Sequence, residues 1–298
     1  MKSEAIIPDY REQTPEVAAR FARLVQRPVA LEVVGLTKRF ETPRGVVTAL
    51  DNVSFSVHKR ELLSVIGPSG CGKSTLVRIL AGLETPSSGE VRVYGEPVSG
   101  PGPDRGMVFQ GYTLFPWRTV KENVMFGPRM AGTSAFTAAS EAREWIELVG
   151  LSKFENSYPH QLSGGMKQRV AIARALANQP RVLFMDEPFG ALDAQTRCQM
   201  QSYLLEIWKN VDITIVFITH DLDEAVFLSD RILVLDANPG RVREVVEVPV
   251  TRPRSSEQLF DPSFLGVRKH IDNLIHPPGQ EQKEAPVLRM AVSDPDIV

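Results

Sequence analysis

At 298 residues with 43% hydrophobic composition, the chain can form one large domain with tails and bury a sizeable core. Its 34 Lys and Arg against 36 Asp and Glu leave a net charge of -2, which argues against nucleic acid as the main partner. Two cysteines, Cys71 and Cys198, imply no disulfide framework and fit a reducing compartment.

No run approaches the roughly 18–20 apolar residues that cross a bilayer, so a membrane path would have to come from another polypeptide. Residues 1–29 read as an extension without the apolar core of a secretion signal. Within it, Thr14-Pro15-Glu16 is a helix start, and Val17, Phe21, Leu24 and Val25 follow at helical spacing. The spacing predicts a short amphipathic helix that docks on its own domain, with a partner contact as the alternative.

From residue 30 the runs LEVVGL, VVTAL, NVSFSV and ELLSVIG alternate with turn signals and predict an antiparallel β portion. After Gly67 the pattern becomes strand, loop and helix (STLVRILAGL). Two further buried strands are expected at Val182–Met185 and Ile213–Ile218, each followed by polar residues. Strands alternating with helices imply a mostly parallel sheet with ligands at its carboxyl edge. Between them, about 112–178, the text is helical and reads as an inserted subdomain. Residues 277–298, rich in Pro, Gln, Glu and Asp, predict a disordered tail, and no internal repeat is visible.

Gly67-Pro68-Ser69-Gly70-Cys71-Gly72-Lys73-Ser74-Thr75 fits a phosphate-binding loop, with a strand before it and a helix after it. Its backbone N–H groups and the helix dipole suit phosphate oxygens. Lys73 would reach the β- and γ-phosphates of ATP, and the Ser74 hydroxyl would ligate Mg²⁺. Asp186 and Glu187 close a buried strand. Asp186 suits a hold on Mg²⁺, and Glu187 suits polarising the water that attacks the γ-phosphate. Ser163, Gly164 and Gly165, placed before a helix expected at Lys167–Ala177, form a second anion nest. One chain thus carries two phosphate-gripping loops but a single complete nucleotide set.

The phosphate loop, then LSGG before a helix, then VLFMDEP, in that order, resemble the ATPase subunit of ABC transporters over about residues 29–276. The resemblance implies an α/β fold: a P-loop NTPase core with an antiparallel β subdomain and an inserted helical subdomain. It also implies a head-to-tail homodimer, or a pair of such ATPases, in which LSGG of one chain closes on ATP held by the other. Met166 stands where the family most often has Gln. By the same resemblance Phe40 stacks on adenine, Gln110 touches Mg²⁺ and the attacking water, and His220 contacts the γ-phosphate. Ala191-Leu192-Asp193 matches the loop that crosses to the other protomer.

Tyr112 to Val120, with Phe115 and Trp117 as expected exposed anchors, matches the segment that receives a transmembrane permease. That stretch and Asn238-Pro239-Gly240-Arg241 resemble the nitrate, sulfonate and taurine importer ATPases. The expected function is ATP hydrolysis coupled to solute uptake, at the cytoplasmic face of a membrane. The partners are a permease and an extracytoplasmic solute-binding protein, not nucleic acid. A non-transport clamp or an exporter ATPase is the alternative. The solute itself is not written in these residues.

Overall fold

The strands Leu62–Ile66 (β3 in chain order), Val182–Asp186 (β7) and Thr214–Ile218 (β8) are apolar without alternation, and each is buried along its whole length. A strand covered on both faces belongs at the centre of a parallel sheet. That is where they lie in the computed structural model, which describes residues 9–277. With Arg105–Val108 (β6), Arg231–Leu235 (β9) and Val242–Glu247 (β10) they form a sheet of order β10-β9-β3-β8-β7-β6. All its pairings are parallel except β9 with β10. Val65 and Asp186 both stand opposite Ile218, and Val108 stands opposite Met185, so the carboxyl ends are nearly level.

The second sheet holds Val29–Thr42 (β1), Gly45–His58 (β2), Ser88–Val93 (β4) and Glu96–Pro97 (β5), in the order β2-β1-β4-β5, all antiparallel. The runs VVTAL and NVSFSV, expected as separate strands, are one strand interrupted at Asn52, whose φ of 51° marks an irregularity in the pairing. Around both sheets run the helices Pro15–Val25 (α1), Lys73–Leu80 (α2), Val120–Met130 (α3), Ala135–Leu148 (α4), Gly164–Leu176 (α5), Ala194–Asn210 (α6), Leu222–Leu228 (α7) and Pro262–Ile275 (α8). Among the described residues no helix is long and apolar enough to cross a membrane.

Helices α3, α4 and α5 pack around a small core of their own, including Val124, Ile146, Val149, Leu162 and Val170. The opposite face of α5, with Ile172 and Leu176, enters the main core beside Leu183 and Phe217. One helix therefore belongs to both units. Thr119 caps α3 reciprocally with Glu122. Buried Asn123 fixes the preceding loop, accepting from the Phe115 N–H and donating to the Phe115, Arg118 and Thr119 carbonyls.

The amphipathic α1 forms as its spacing predicts, with Thr14 accepting from the Val17 N–H and Pro15 in the first turn. Val17, Phe21 and Leu24 are buried, but Val25 is 55% exposed. The correction follows from geometry: eight residues beyond Val17, Val25 has turned about 80° off the face at 100° per residue. The segment is tied to its own chain. Arg20 donates to the Val248 and Val250 carbonyls, Gln13 donates to Glu247, and Tyr10 stacks on His270 at 3.9 Å. The tail expected at 277–298 lies, beyond Pro277, outside the described residues, as do residues 1–8. Phe21→Ala is expected to lower the unfolding free energy in urea by about 3 kcal/mol, while Val25→Ala stays within about 0.5 kcal/mol. Equal, negligible effects would mean that α1 is undocked in solution.

Candidate functional site

Four loops leave the carboxyl edge of the parallel sheet side by side, from β3, β6, β7 and β8. The first, after β3, carries the phosphate-loop residues. Gly72 caps α2 at φ 88°, and an added Cβ there would meet the Ala49 carbonyl at 2.9 Å, so only glycine fits. No side chain caps the helix, which leaves its first N–H groups free for an anion. Gly67, Cys71 and Lys73 are buried, whereas Ser69, Gly70 and Ser74 are exposed, with Pro68 and Thr75 half-buried. The Lys73 ammonium curls back on its own loop, donating to the Gly67 carbonyl at 2.8 Å and the Pro68 carbonyl at 3.2 Å. The Cys71 thiol packs in the core, and burial pushes its pKa up, so the position contributes backbone rather than reactive sulfur. Behind the loop, the Gly240 N–H donates to the Ala49 carbonyl, and a Cβ on Gly240 would collide with the Cys71 carbonyl. The segment Asn238–Arg241 is thus a brace for the phosphate loop.

Asp186 ends β7 and is buried; the Ser74 hydroxyl donates to it at 3.4 Å. Burial, then the neighbouring Glu187 charge, raises the Asp186 pKa, against the Ser74 hydrogen bond and the more distant Arg78 and Lys73 charges. Glu187 has φ 44°, a left-handed conformation rare outside glycine, and its N–H donates to the Ile218 carbonyl at 3.0 Å. That twist separates the two acids. Asp186 faces α2, while Glu187 meets Gln110 Nε2 at 3.5 Å and His220 Nδ1 at 3.1 Å. β6 ends at Val108, so Gln110 sits two residues into the loop rather than on the strand, and both it and His220 are exposed.

Beside Glu187 is a small cavity of about 10 Å³, enough for roughly one water, which Arg197, Thr219 and Glu224 also line. Arg197 joins the Ala191–Asp193 loop to the strand end, donating to the Leu192 carbonyl at 3.1 Å and to Asp221 at 3.3 Å. Its buried Nε has no partner among the described residues. Burial raises the Glu224 pKa, and the carboxylate accepts from Gln201 at 3.1 Å.

Helix α5 begins at Gly164, three residues earlier than expected. Ser163, exposed, caps it by accepting from the Met166 N–H at 3.3 Å. The neighbours of Gly164 are Tyr112 and Leu192, and that of Gly165 is Thr196. Among the described residues no hydrogen bond joins Ser163–Gly165 to residues 67–75. The structure brings together the phosphate loop, Asp186, Glu187, Gln110 and His220, and leaves the second nest apart from them.

Phe40 is 37% exposed near the end of β1, with the Lys38 ammonium 4.8 Å from its ring centre, so it is not a core residue. Phe115 and Trp117 were expected to be equally exposed. Trp117 is 71% exposed, but Phe115 is half-buried against Phe126 at 4.6 Å. The residue that sequence reasoning missed is Arg174 on α5. It donates to the Tyr112 carbonyl (3.2 Å), the Thr113 carbonyl (2.7 Å) and the Thr113 hydroxyl (2.9 Å). Tyr112 and Thr113 are both left-handed, at φ 52° and 49°, so Arg174 clamps a strained turn two residues beyond Gln110. A guanidinium inside the apolar run AIARALA was the available signal.

A sequence profile described as ABC transporter matches residues 50–190. The uncharacterised ABC transporter ATP-binding protein MJ0412 of Methanocaldococcus jannaschii is 53% identical over 83% of this chain and 91% of its own. The nitrate import ATP-binding protein NrtD of Synechocystis is 46% identical, over 86% of this chain and 98% of its own. The aliphatic sulfonates import ATP-binding protein SsuB of Bacillus cereus is 45% identical, over 79% and 92%. A dimeric structure of the ATP-binding cassette MJ0796 in a post-hydrolysis state, bound to ADP and Pi, superposes with a TM-score of 0.64 at 32% identity, covering 73% of this chain and 98% of that one.

Arg174→Met keeps the apolar stem but strips three acceptors of a charged donor. We expect a loss of about 2 kcal/mol in urea unfolding, with faster proteolysis near Thr113. A neutral substitution would show that the turn holds itself.

Proposed function

The chain belongs to the ABC transporter ATP-binding proteins and is an ATPase, and from that premise we propose that it powers solute uptake through a separate permease, as one half of a head-to-tail dimer. The observation that carries the dimer is the separation of the two nests: Ser163 is exposed, and its surroundings are the Gln110 and Ala191–Asp193 loops rather than the phosphate loop. The dimeric ADP-bound relative supports the same arrangement.

In this reading Phe40 stacks on adenine, and the N–H groups of residues 67–75 with Lys73 hold the phosphates. Lys73 exchanges the Gly67 and Pro68 carbonyls for phosphate oxygens. Asp186, Ser74 and Gln110 are the residues that would hold Mg²⁺. The fit is electrostatic, because a buried carboxylate with a raised pKa beside a hydroxyl is a site short of positive charge. Bound there, Mg²⁺ would offset charge on the phosphate oxygens. Glu187 accepts a proton from the attacking water, and Gln110 and His220, which already touch its carboxylate, orient the water and the γ-phosphate. The products are ADP and phosphate. Ser163, Gly164 and Gly165 of one protomer close on the nucleotide of the other.

The permease docks near Tyr112–Val120, where exposed Trp117 lies 5.7 Å from Phe115, which with Phe109 and Phe126 lines a cavity of about 330 Å³. The nitrate and sulfonate import relatives support an importer of that class, working with an extracytoplasmic solute-binding protein from the cytoplasmic face of the membrane.

Glu187→Gln should retain ATP binding, cut hydrolysis by about 10²–10⁴, and accumulate an ATP-bound dimer in size-exclusion chromatography. Turnover near the wild-type rate would remove Glu187 from its role. Lys73→Ala and Ser163→Arg should each abolish turnover alone, yet partly recover it when mixed. In a mixed dimer both defects fall on one composite site and leave the other intact. A monomer with ATP bound and no recovery on mixing would overturn the shared-site reading.

A further inference from the structure

Away from the nucleotide, a hollow of about 410 Å³ opens between α6 and the turn 252–254, within the roughly 300–1,000 Å³ usual for small-molecule sites. Its walls divide by chemistry. Leu205, Trp208 and Pro253 supply apolar surface, and Lys209, Arg252 and Arg254 supply positive charge against the single lining carboxylate of Glu206. The Arg252 guanidinium stacks on the Trp208 indole at 4.4 Å. It also donates to Asp230 at 2.9 Å and to the Leu228 carbonyl at 2.8 Å.

Arg254 spends Nη1 on the Thr251 carbonyl and Nη2 on the Ser229 carbonyl, and its buried Nε has no acceptor among the described residues. Trp208 Nε1 is a second buried donor in the same position. Buried donors without acceptors are costly, and both residues line the hollow. The charge balance agrees. Arg20, Arg252 and Arg254 lie within mutual influence, and burial followed by repulsion from Arg252 and Arg20 holds the Arg254 pKa well below its usual range. The negative end of α6 does not oppose an anion, because Arg60 donates to both the Trp208 and Lys209 carbonyls, at 3.1 and 3.0 Å.

We infer that this hollow is a second ligand site, for a small organic anion with a flat apolar body and a carboxylate or sulfonate head. The body lies against Trp208 and Leu205, and the head meets the arginine and lysine side. Fifteen residues of α6 separate Trp208 from Asp193, about 22 Å of helix, so the site is distinct from the nucleotide's.

The test is calorimetric titration of the full chain with naphthalene-2-sulfonate, beside naphthalene-2-methanol as the uncharged control. We expect saturable binding of one sulfonate per chain, at least ten-fold weaker for the alcohol, and unchanged in Lys73→Ala. Arg254→Gln should weaken it at least ten-fold. Lys209→Glu, at an exposed position that does not threaten folding, should weaken it several-fold. No saturable binding, equal affinity for the alcohol, or wild-type affinity in Lys209→Glu would each overturn the site.

Discussion

Main-chain pairing sets Val65, Ile218 and Asp186 level across three adjacent buried strands, and each reactive group leaves the sheet within a few residues of that line. The register cannot slip by one residue. A one-residue shift of β7 would exchange its faces, turning Asp186 away from Ser74 and swapping Leu183 and Met185 with Val182 and Phe184 between the two cores they fill. Because both faces of β3, β7 and β8 are covered, hydrophobic burial enforces the alignment at every position along them. The chemistry at the edge is therefore held by packing some distance beneath it.

The side chains of the site are held largely by one another and by their own loops. Lys73 leans on two carbonyls of its own loop. Asp186 is driven toward its neutral form by burial and by Glu187. Glu187 occupies a left-handed conformation worth on the order of 1–3 kcal/mol of strain. Strain at that residue is useful, because an extended backbone would carry the two carboxylates to opposite faces of one strand. The left-handed turn instead aims one at α2 and the other at Gln110 and His220.

Much of this arrangement was legible in the sequence, where local pattern and tertiary demand coincide. Uninterrupted apolar runs marked β7 and β8, and the glycine spacing marked the phosphate loop, whereas β3, grouped with the antiparallel runs, pairs in parallel with β8 and β9. What escaped depended on features with no periodic signal. Asn52 interrupts β2 without ending it, because its short polar side chain tolerates a positive φ that the flanking pairing absorbs. Ser163 starts α5 three residues before the helix-forming text, because a capping hydroxyl outweighs the poor helix propensity of two glycines. The resemblance implies an exposed Phe115, with packing in the helical subdomain as the alternative, and the fold brings Phe126 and Arg174 over it. Arg174 acts through carbonyls about sixty residues away and Arg197 through the carboxylate of Asp221, partners that no motif announces.

In the proposed dimer, those two arginines would let a site shared between chains answer to the proposed permease. α5 carries exposed Ser163 at its N-cap and Arg174 eleven residues on, and it packs into both cores. A rigid helix held in this way moves as a unit. If, as proposed, its start is drawn onto a nucleotide across the dimer, the clamp on Tyr112 and Thr113 would travel with it. Tyr112 lies over Gly164 as well, so the turn is gripped from two points on the same helix. The loop that begins at Gln110 and runs on to exposed Trp117 thus meets Glu187 at one end and lies open to the proposed permease at the other. Arg197 repeats the device at the Ala191–Asp193 loop, bracing it against Asp221 next to His220. Coupling here needs no long chain of contacts, because a single helix and two guanidiniums span the distance.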